Sequence, residues 1–268
     1  MKDLDLNQAK ETALKAALCG RAVLMHYFGQ LERVQEKALA GLVSEADVES
    51  EKAITAELAR GLPGVSVLGE EHAFASQDES LQQNSWVVDP LDGTTNYVHS
   101  FPIFCISIGL QWQGEMAVGV VDVPMFNKTY SCAAGQGAYA NGQRLSVSSR
   151  DQVKDCLLAT GFFPDHVEAL KEQLKIFSKL VFEARGIRRA GAAAYDLCLV
   201  AEGVFDAFWE KNLKPWDTAA GSLMVREAGG VCWTYDSQPY GLKDNSILAG
   251  NPKIAPLIAQ RIQTCSGC

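Results

Sequence analysis

The sequence predicts a layered α/β (α+β) fold, and three observations carry that expectation. Stretches with helical apolar spacing alternate with short runs of β-formers along the whole chain. Residues 104–113 and 116–123 alternate apolar and polar residues and meet across Gly114, so they read as an antiparallel pair. A chain of 268 residues with 47% apolar and 21% charged content is large enough to bury one large core or two abutting ones. Polar residues accumulate at 148–155, which sets a boundary between an N-terminal half, 1–150, and a C-terminal half, 151–268.

Residues 4–37 are Ala-rich, and Leu6, Ala9, Ala13, Ala17, Leu24 and Phe28 recur near helical spacing, so one long helix with one buried face is expected. Ser44, followed by Asp47, is close to a capping box and starts a second helix over 47–60. Gly61-Leu62-Pro63-Gly64 stops it. Residues 65–68 form a short strand, Glu70 and Glu71 leave it, and 73–84 reads as a loose surface loop. His72 is a poor ligand for a hard cation.

Trp86-Val87-Val88 is a buried strand with Asp89 at its end. Pro90 has no N–H for a central ladder, so a turn is expected there. Asp92 returns a second carboxylate three residues on. Gly93 lets the backbone approach closely, and the following amides can open a short helix that attracts an anion. Two close carboxylates beside such amides suit hard cations such as Mg²⁺ and a phosphate. On these residues alone, a strand-end Asp followed by an ordinary Asp-Gly turn is an equal reading.

Further strands are expected at 128–134 and 143–147, with Asn141-Gly142 as a hairpin turn. The second half reads as a strand at 157–160, a helix over 166–182, a small-residue helix over 192–202 and a strand over 204–210. A helix then opens at Pro215, helix and strand are completed over 223–232, and a terminal helix spans 254–262. Arg188 and Arg189 read as exposed or ion-paired. Asp217 in the first turn of its helix favours the dipole whatever else it does.

The net charge of −8 argues against a nucleic-acid surface. It does not argue against an anionic substrate if metal ions recharge the site. The eight cysteines lie mostly in apolar stretches. Met1-Lys2-Asp3-Leu4-Asp5 is acidic with no apolar run behind it, so a cytoplasmic protein with reduced thiols is expected. Cys265-Ser266-Gly267-Cys268 reads as a functionless tail. No run of about 18 apolar residues is present to span a membrane.

Asp89-Pro90-Leu91-Asp92-Gly93-Thr94-Thr95-Asn96 resembles the first signature of the inositol monophosphatase family of Mg²⁺-dependent phosphatases. Trp216-Asp217-Thr218-Ala219-Ala220-Gly221 is similar to the second, and Leu68-Gly69-Glu70-Glu71 supplies the glutamate expected upstream. The similarity runs from about Ser44 to about Asn251. It implies an αβαβα sandwich, with a largely antiparallel N-terminal sheet and a mixed C-terminal sheet. It also implies a homodimer, two or three Mg²⁺ per site, and sensitivity to lithium.

By the same resemblance Glu70, Asp89 and the Leu91 carbonyl hold one ion, and Asp89, Asp92 and Asp217 hold a second. Thr94, hydrogen-bonded to Asp47, acts on the attacking water. The amides of Gly93 and Thr94 bind phosphate, and Ala193 and Glu210 lie near the ring of the alcohol. Thr94-Thr95-Asn96-Tyr97 is similar to the inositol-phosphate pattern within the superfamily. The alternatives are a related phosphatase for fructose 1,6-bisphosphate or histidinol phosphate, or a regulatory binding protein that contacts the transcription machinery.

Overall fold

The computed structural model describes residues 4–37, 41–77, 79–162 and 167–266. Helix α1 (Leu6–Tyr27) is capped by Asp5, whose carboxylate accepts from the amides of Asn7 and Gln8. Its small-residue face, Ala9, Ala13, Ala16 and Ala17, is buried. The helix stops at Tyr27, well short of residue 37. Its apolar spacing ends at Phe28, and Gly29 then takes φ +74°, a left-handed conformation that ends helices. Strand β1 (Val34–Lys37) follows, paired antiparallel with β2 (Gly41–Ser44).

Helix α2 (Glu45–Gly61) has the expected Ser44 cap. Strand β3 (Ser66–Gly69) runs directly into helix α3 (Glu70–Ser76), so the first part of the expected 73–84 loop is helical. Strand β4 (Ser85–Asp92) then leads to helix α4 (Thr94–Val98). After it come β5 (Cys105–Trp112), β6 (Glu115–Val123), β7 (Lys128–Ala133), β8 (Gly137–Ala140) and β9 (Gln143–Arg144). Strand β8 was not expected, and β9 is only the start of the expected 143–147 strand. Asn141 and Gly142, with φ +46° and +81°, make the expected hairpin turn. These strands form a sheet in the order β3-β4-β5-β6-β7-β8-β9, parallel only at β3–β4.

The second half supplies β10 (Leu157–Thr160), α5 (Val167–Glu183), β11 (Gly186–Arg188), α6 (Ala193–Ala201), β12 (Ala207–Lys211) and α7 (Pro215–Glu227). It ends with β13 (Val231–Trp233), β14 (Ser246–Gly250) and α8 (Ala255–Ser266). Its sheet has the order β11-β10-β12-β14-β13, parallel around β10 and antiparallel around β14. The buried run of β14 carries no helical or alternating pattern, which is why the sequence did not announce it. Residue 166 and the Cys268 end of the terminal Cys pair lie outside the described residues.

The layers are α1 and α2, the seven-stranded sheet, α6 and α7, the five-stranded sheet, then α5 and α8. This is the expected αβαβα sandwich. The apolar cluster around α6 and α7 draws on both halves, from Val121 and Tyr130 to Leu197 and Met224. Helix α7 lies unusually close to the first sheet. A Cβ on Gly119 of β6 would sit 2.8 Å from the Ala220 carbonyl oxygen, so only glycine fits there. Among the described residues no helix is long and apolar enough to cross a membrane.

Candidate active site

The site begins with an irregularity in β4. Asp89 faces Ser107 of β5, and Asp92 faces Cys105, so β4 advances three residues while β5 advances two. The extra residue is a bulge, and Pro90 lies within it. The strand therefore does not turn at Pro90, as expected, but continues through it. Without the bulge, side chains three apart would point to opposite faces. With it, Asp89 and Asp92 share a face, the one on which Ser107 Oγ donates to the Trp216 carbonyl at the start of α7.

Five helix N-termini meet this strand end. Each of four aspartates is gripped through one oxygen by a backbone N–H. Asp89 Oδ1 accepts from Leu91 N at 2.9 Å, and Asp92 Oδ2 from Ala194 N of α6 at 2.7 Å. Asp217 Oδ2 accepts from Lys214 N at 2.7 Å, which closes a capping box on α7. Asp47 Oδ2 accepts from Ser44 N at 2.8 Å and Ser44 Oγ at 2.6 Å at the start of α2. The capping role of Asp47 and Asp217 and their place in the cleft coexist, because capping uses one oxygen and leaves the other. Asp47 Oδ1 accepts from Thr94 Oγ1 at 3.0 Å.

Glu70 is the first residue of α3, and Gly93, with φ +96°, precedes α4. A Cβ on Gly93 would be 3.0 Å from the Ile103 carbonyl oxygen. Glu70, Asp92, Gly93, Thr94, Ala193, Glu210 and Asp217 line one cavity of about 220 Å³. Asp89 is buried beside it, within the field of Glu70, Asp92 and Asp217. The Leu91 carbonyl lies 3.1 Å from Thr94 Oγ1. Every residue expected in the site is thus brought to one place.

This crowding dominates the electrostatics. Burial, then the charges of Glu70, Asp92 and Asp217, raises the Asp89 carboxyl well above its ordinary value. Burial pushes Asp92 up to about 7, against the opposing pull of the Ala194 amide and the Cys105 thiol. Burial and the charges of Asp92 and Glu70 also raise Asp217 well above its usual range. Burial pushes Glu210 to about 8, with Arg189 opposing. The gripping amides favour the charged forms, but desolvation and mutual repulsion win.

The sequence profile of the inositol monophosphatase family matches residues 5–266. The chain belongs to the inositol monophosphatase family. It is 40% identical over 258 residues to the fructose-1,6-bisphosphatase/inositol-1-monophosphatase of Aquifex aeolicus, covering 96% of each chain. It is 39% identical over 255 residues to the Nus factor SuhB of Pseudomonas aeruginosa, covering 94% of each. Its fold matches the extragenic suppressor protein suhB of Bartonella henselae with a TM-score of 0.87 at 36% identity, over 95% of this chain and 98% of that one.

The donor chemistry fits the metal dependence general to this phosphatase family. Hard carboxylate oxygens repel one another here, and a divalent cation relieves that repulsion. Among the described residues no three such side chains already close into a finished metal cage. Mg²⁺ does not require one, because it takes one or two carboxylates and completes its shell with water and substrate oxygens.

Several supporting residues were not found from sequence. Buried Glu51 accepts from the amides of Glu71 at 2.8 Å and His72 at 2.9 Å, which anchors α3 and so places Glu70. Asn96 Nδ2 donates to the carbonyls of Ile103 at 2.7 Å and Ala190 at 2.9 Å, tying α4 to the turn before α6. The Cys105 thiol donates to Asp92 Oδ2 at 3.5 Å. Glu51 lies in a polar helix like any surface glutamate, so its sequence gives no signal. Arg189, expected to be exposed or ion-paired, is exposed, and it also lines the cleft that holds Glu210.

These raised carboxyls make the stability of the metal-free protein depend on pH. A carboxyl with a raised folded pKa keeps its proton longer in the folded state than in the unfolded one. Its contribution is fully present below the unfolded value of about 3.8 and is lost as pH rises toward about 7. Asp92→Asn removes that loss. In EDTA, the unfolding free energy of the variant relative to the native protein should therefore rise by roughly 2–4 kcal/mol between pH 4 and 7.5. Urea titrations across that range check it, and a flat difference contradicts the electrostatic account.

Proposed function

We propose that this chain is a Mg²⁺-dependent phosphatase that hydrolyses phosphate monoesters of polyols, with myo-inositol monophosphates as the substrate. The observation that carries the reading is the convergence of Glu70, Asp92 and Asp217 on one cavity, with Asp89 buried beside it and Thr94, held from behind by Asp47, in its wall. The cavity is smaller than the ~300–1,000 Å³ typical of drug-sized sites, which suits one small ring.

Glu70, Asp89 and the Leu91 carbonyl would hold one ion, and Asp89, Asp92 and Asp217 another. Bound there, the ions supply charge neutralisation at the phosphoryl group, a more acidic water and stabilisation of the leaving oxygen. The chain's own groups do the rest. Thr94 Oγ1 has one proton and two acceptors in reach, Asp47 Oδ1 and the Leu91 carbonyl. Whichever takes that proton, a lone pair of Oγ1 remains to accept from a water in the cavity. Asp47 is fully buried and doubly held by Ser44, so it fixes the direction in which Thr94 points.

The first-turn amides of α4, from Gly93 and Thr94, have no partner within the helix and would receive phosphate oxygens. Ala193 leaves room for the alcohol ring, and Glu210 would accept from its hydroxyls. Gly161 makes space for that carboxylate, since a Cβ there would lie 2.0 Å from Glu210 Oε2. A covalent route through Cys105 has no support. That thiol is buried, donates to Asp92, and is pushed by burial well above its ordinary pKa.

Fructose 1,6-bisphosphate is the second substrate to test, because the Aquifex relative's name joins it to inositol phosphate. Phosphate release from both esters, with Mg²⁺ and with excess EDTA, tests the reading. Turnover with Mg²⁺ and its loss in EDTA are expected. No turnover under either condition would overturn the proposal and leave a role of the kind that the Pseudomonas relative's name, Nus factor, denotes.

The Asp47–Thr94 pair makes a separate prediction. Thr94→Ala removes the group that orients water and should lower kcat by about 10²–10⁴-fold, the range of general acid–base catalysis, with little change in KM. Steady-state kinetics decide it. A rise in KM at constant kcat would make Thr94 a binding residue instead.

A further inference from the structure

The cleft contains a carboxylate that the hydrolytic reading leaves unused. Asp196 stands one turn into α6, in an otherwise apolar segment, Ala-Ala-Tyr-Asp-Leu-Cys-Leu-Val-Ala. It is 2% exposed and lines the same cavity as Glu210. Its Oδ1 is buried with no hydrogen-bond partner. No described group donates to the Glu210 carboxylate either, and the charge of Glu210 acts on Asp196.

A buried polar atom without a partner is rare, because desolvation then goes uncompensated. Two such carboxyl groups lining one cavity call for donors from outside the chain. The Arg189 guanidinium at the same cavity already offsets their charge. A neutral donor with two adjacent O–H groups therefore completes the site better than another cation. Asp196 lies one turn from Ala192 and Ala193 on α6, on the side where the alcohol ring is placed.

We propose that Asp196 and Glu210 together receive two neighbouring hydroxyls of the substrate's alcohol half, so that the site selects phosphate esters of vicinal polyols. This rests on the phosphatase reading above and adds Asp196 as a second specificity-determining residue.

The test compares inositol 1-phosphate with cyclohexyl phosphate, a ring of the same size without hydroxyls, at saturating Mg²⁺. The readout is the ratio of their kcat/KM values in the native protein, Asp196→Ala and Asp196→Asn. The native ratio should strongly favour the polyol. Asp196→Ala should reduce that ratio roughly ten- to a hundredfold, the scale of one lost charge-assisted hydrogen bond. Asp196→Asn keeps an acceptor oxygen and the side-chain shape, so it should reduce the ratio by a smaller, severalfold amount. Should the alanine variant fail to fold, the asparagine variant alone decides. An unchanged ratio in a folded variant overturns the role of Asp196, as does an equal loss on both esters. A native protein that hydrolyses both esters equally contradicts this proposal alone. One that hydrolyses neither contradicts the phosphatase reading beneath it.

Discussion

The structure depends on holding several carboxylates close together at the buried end of β4. Left alone, such a cluster protonates or flies apart. Here each aspartate is tethered through one oxygen to a backbone amide, from Leu91, Ala194, Lys214 or Ser44. The tether fixes direction without neutralising charge, and at Asp47 the second oxygen accepts from Thr94. Burial first, and then mutual repulsion, raise the pKa values of Asp89, Asp92 and Asp217. That cost of burial and repulsion is what a bound divalent cation would relieve.

The layer order explains how so many helix starts reach one strand end. Helices α6 and α7 lie between the two sheets, so their N-termini abut the bulged end of β4. Close contact at Gly119 sets the distance of α7 from the first sheet. On the opposite face, α2 packs on β4 and presents Asp47, while α3 is fastened to α2 through Glu51. The site is therefore a joint product of both halves. The first contributes the strand, Glu70 and the Thr94 pair, and the second contributes Asp217, Ala193 and Glu210.

Much of this was legible in the sequence, for a physical reason. Carboxylates at the site double as helix caps, and caps leave local signatures. Ser44 with Asp47 and Pro215 with Asp217 announce both a helix start and an acid in a fixed position. Asp89 to Thr94 packs strand, bulge and helix start into one contiguous run. The parts that stayed hidden act across the chain. Glu51 caps a helix nineteen residues on, starting at Glu70, and Asn96 reaches Ala190. Pro90 misled because a proline that ends a regular strand is also tolerated in a bulge. Asp196 left a signal, a lone acid in an apolar helix, whose meaning needed the neighbouring Glu210 to be visible.

The central claim is that these carboxylates form a cation site. The most direct measurement is anomalous diffraction from crystals of the protein soaked in Mn²⁺ as a substitute for Mg²⁺. The account predicts anomalous peaks in the cleft with Asp89 as a shared ligand, one toward Glu70 and the Leu91 carbonyl and one toward Asp92 and Asp217. Crystals that take up Mn²⁺ elsewhere, with no peak among these four carboxylates, would contradict it.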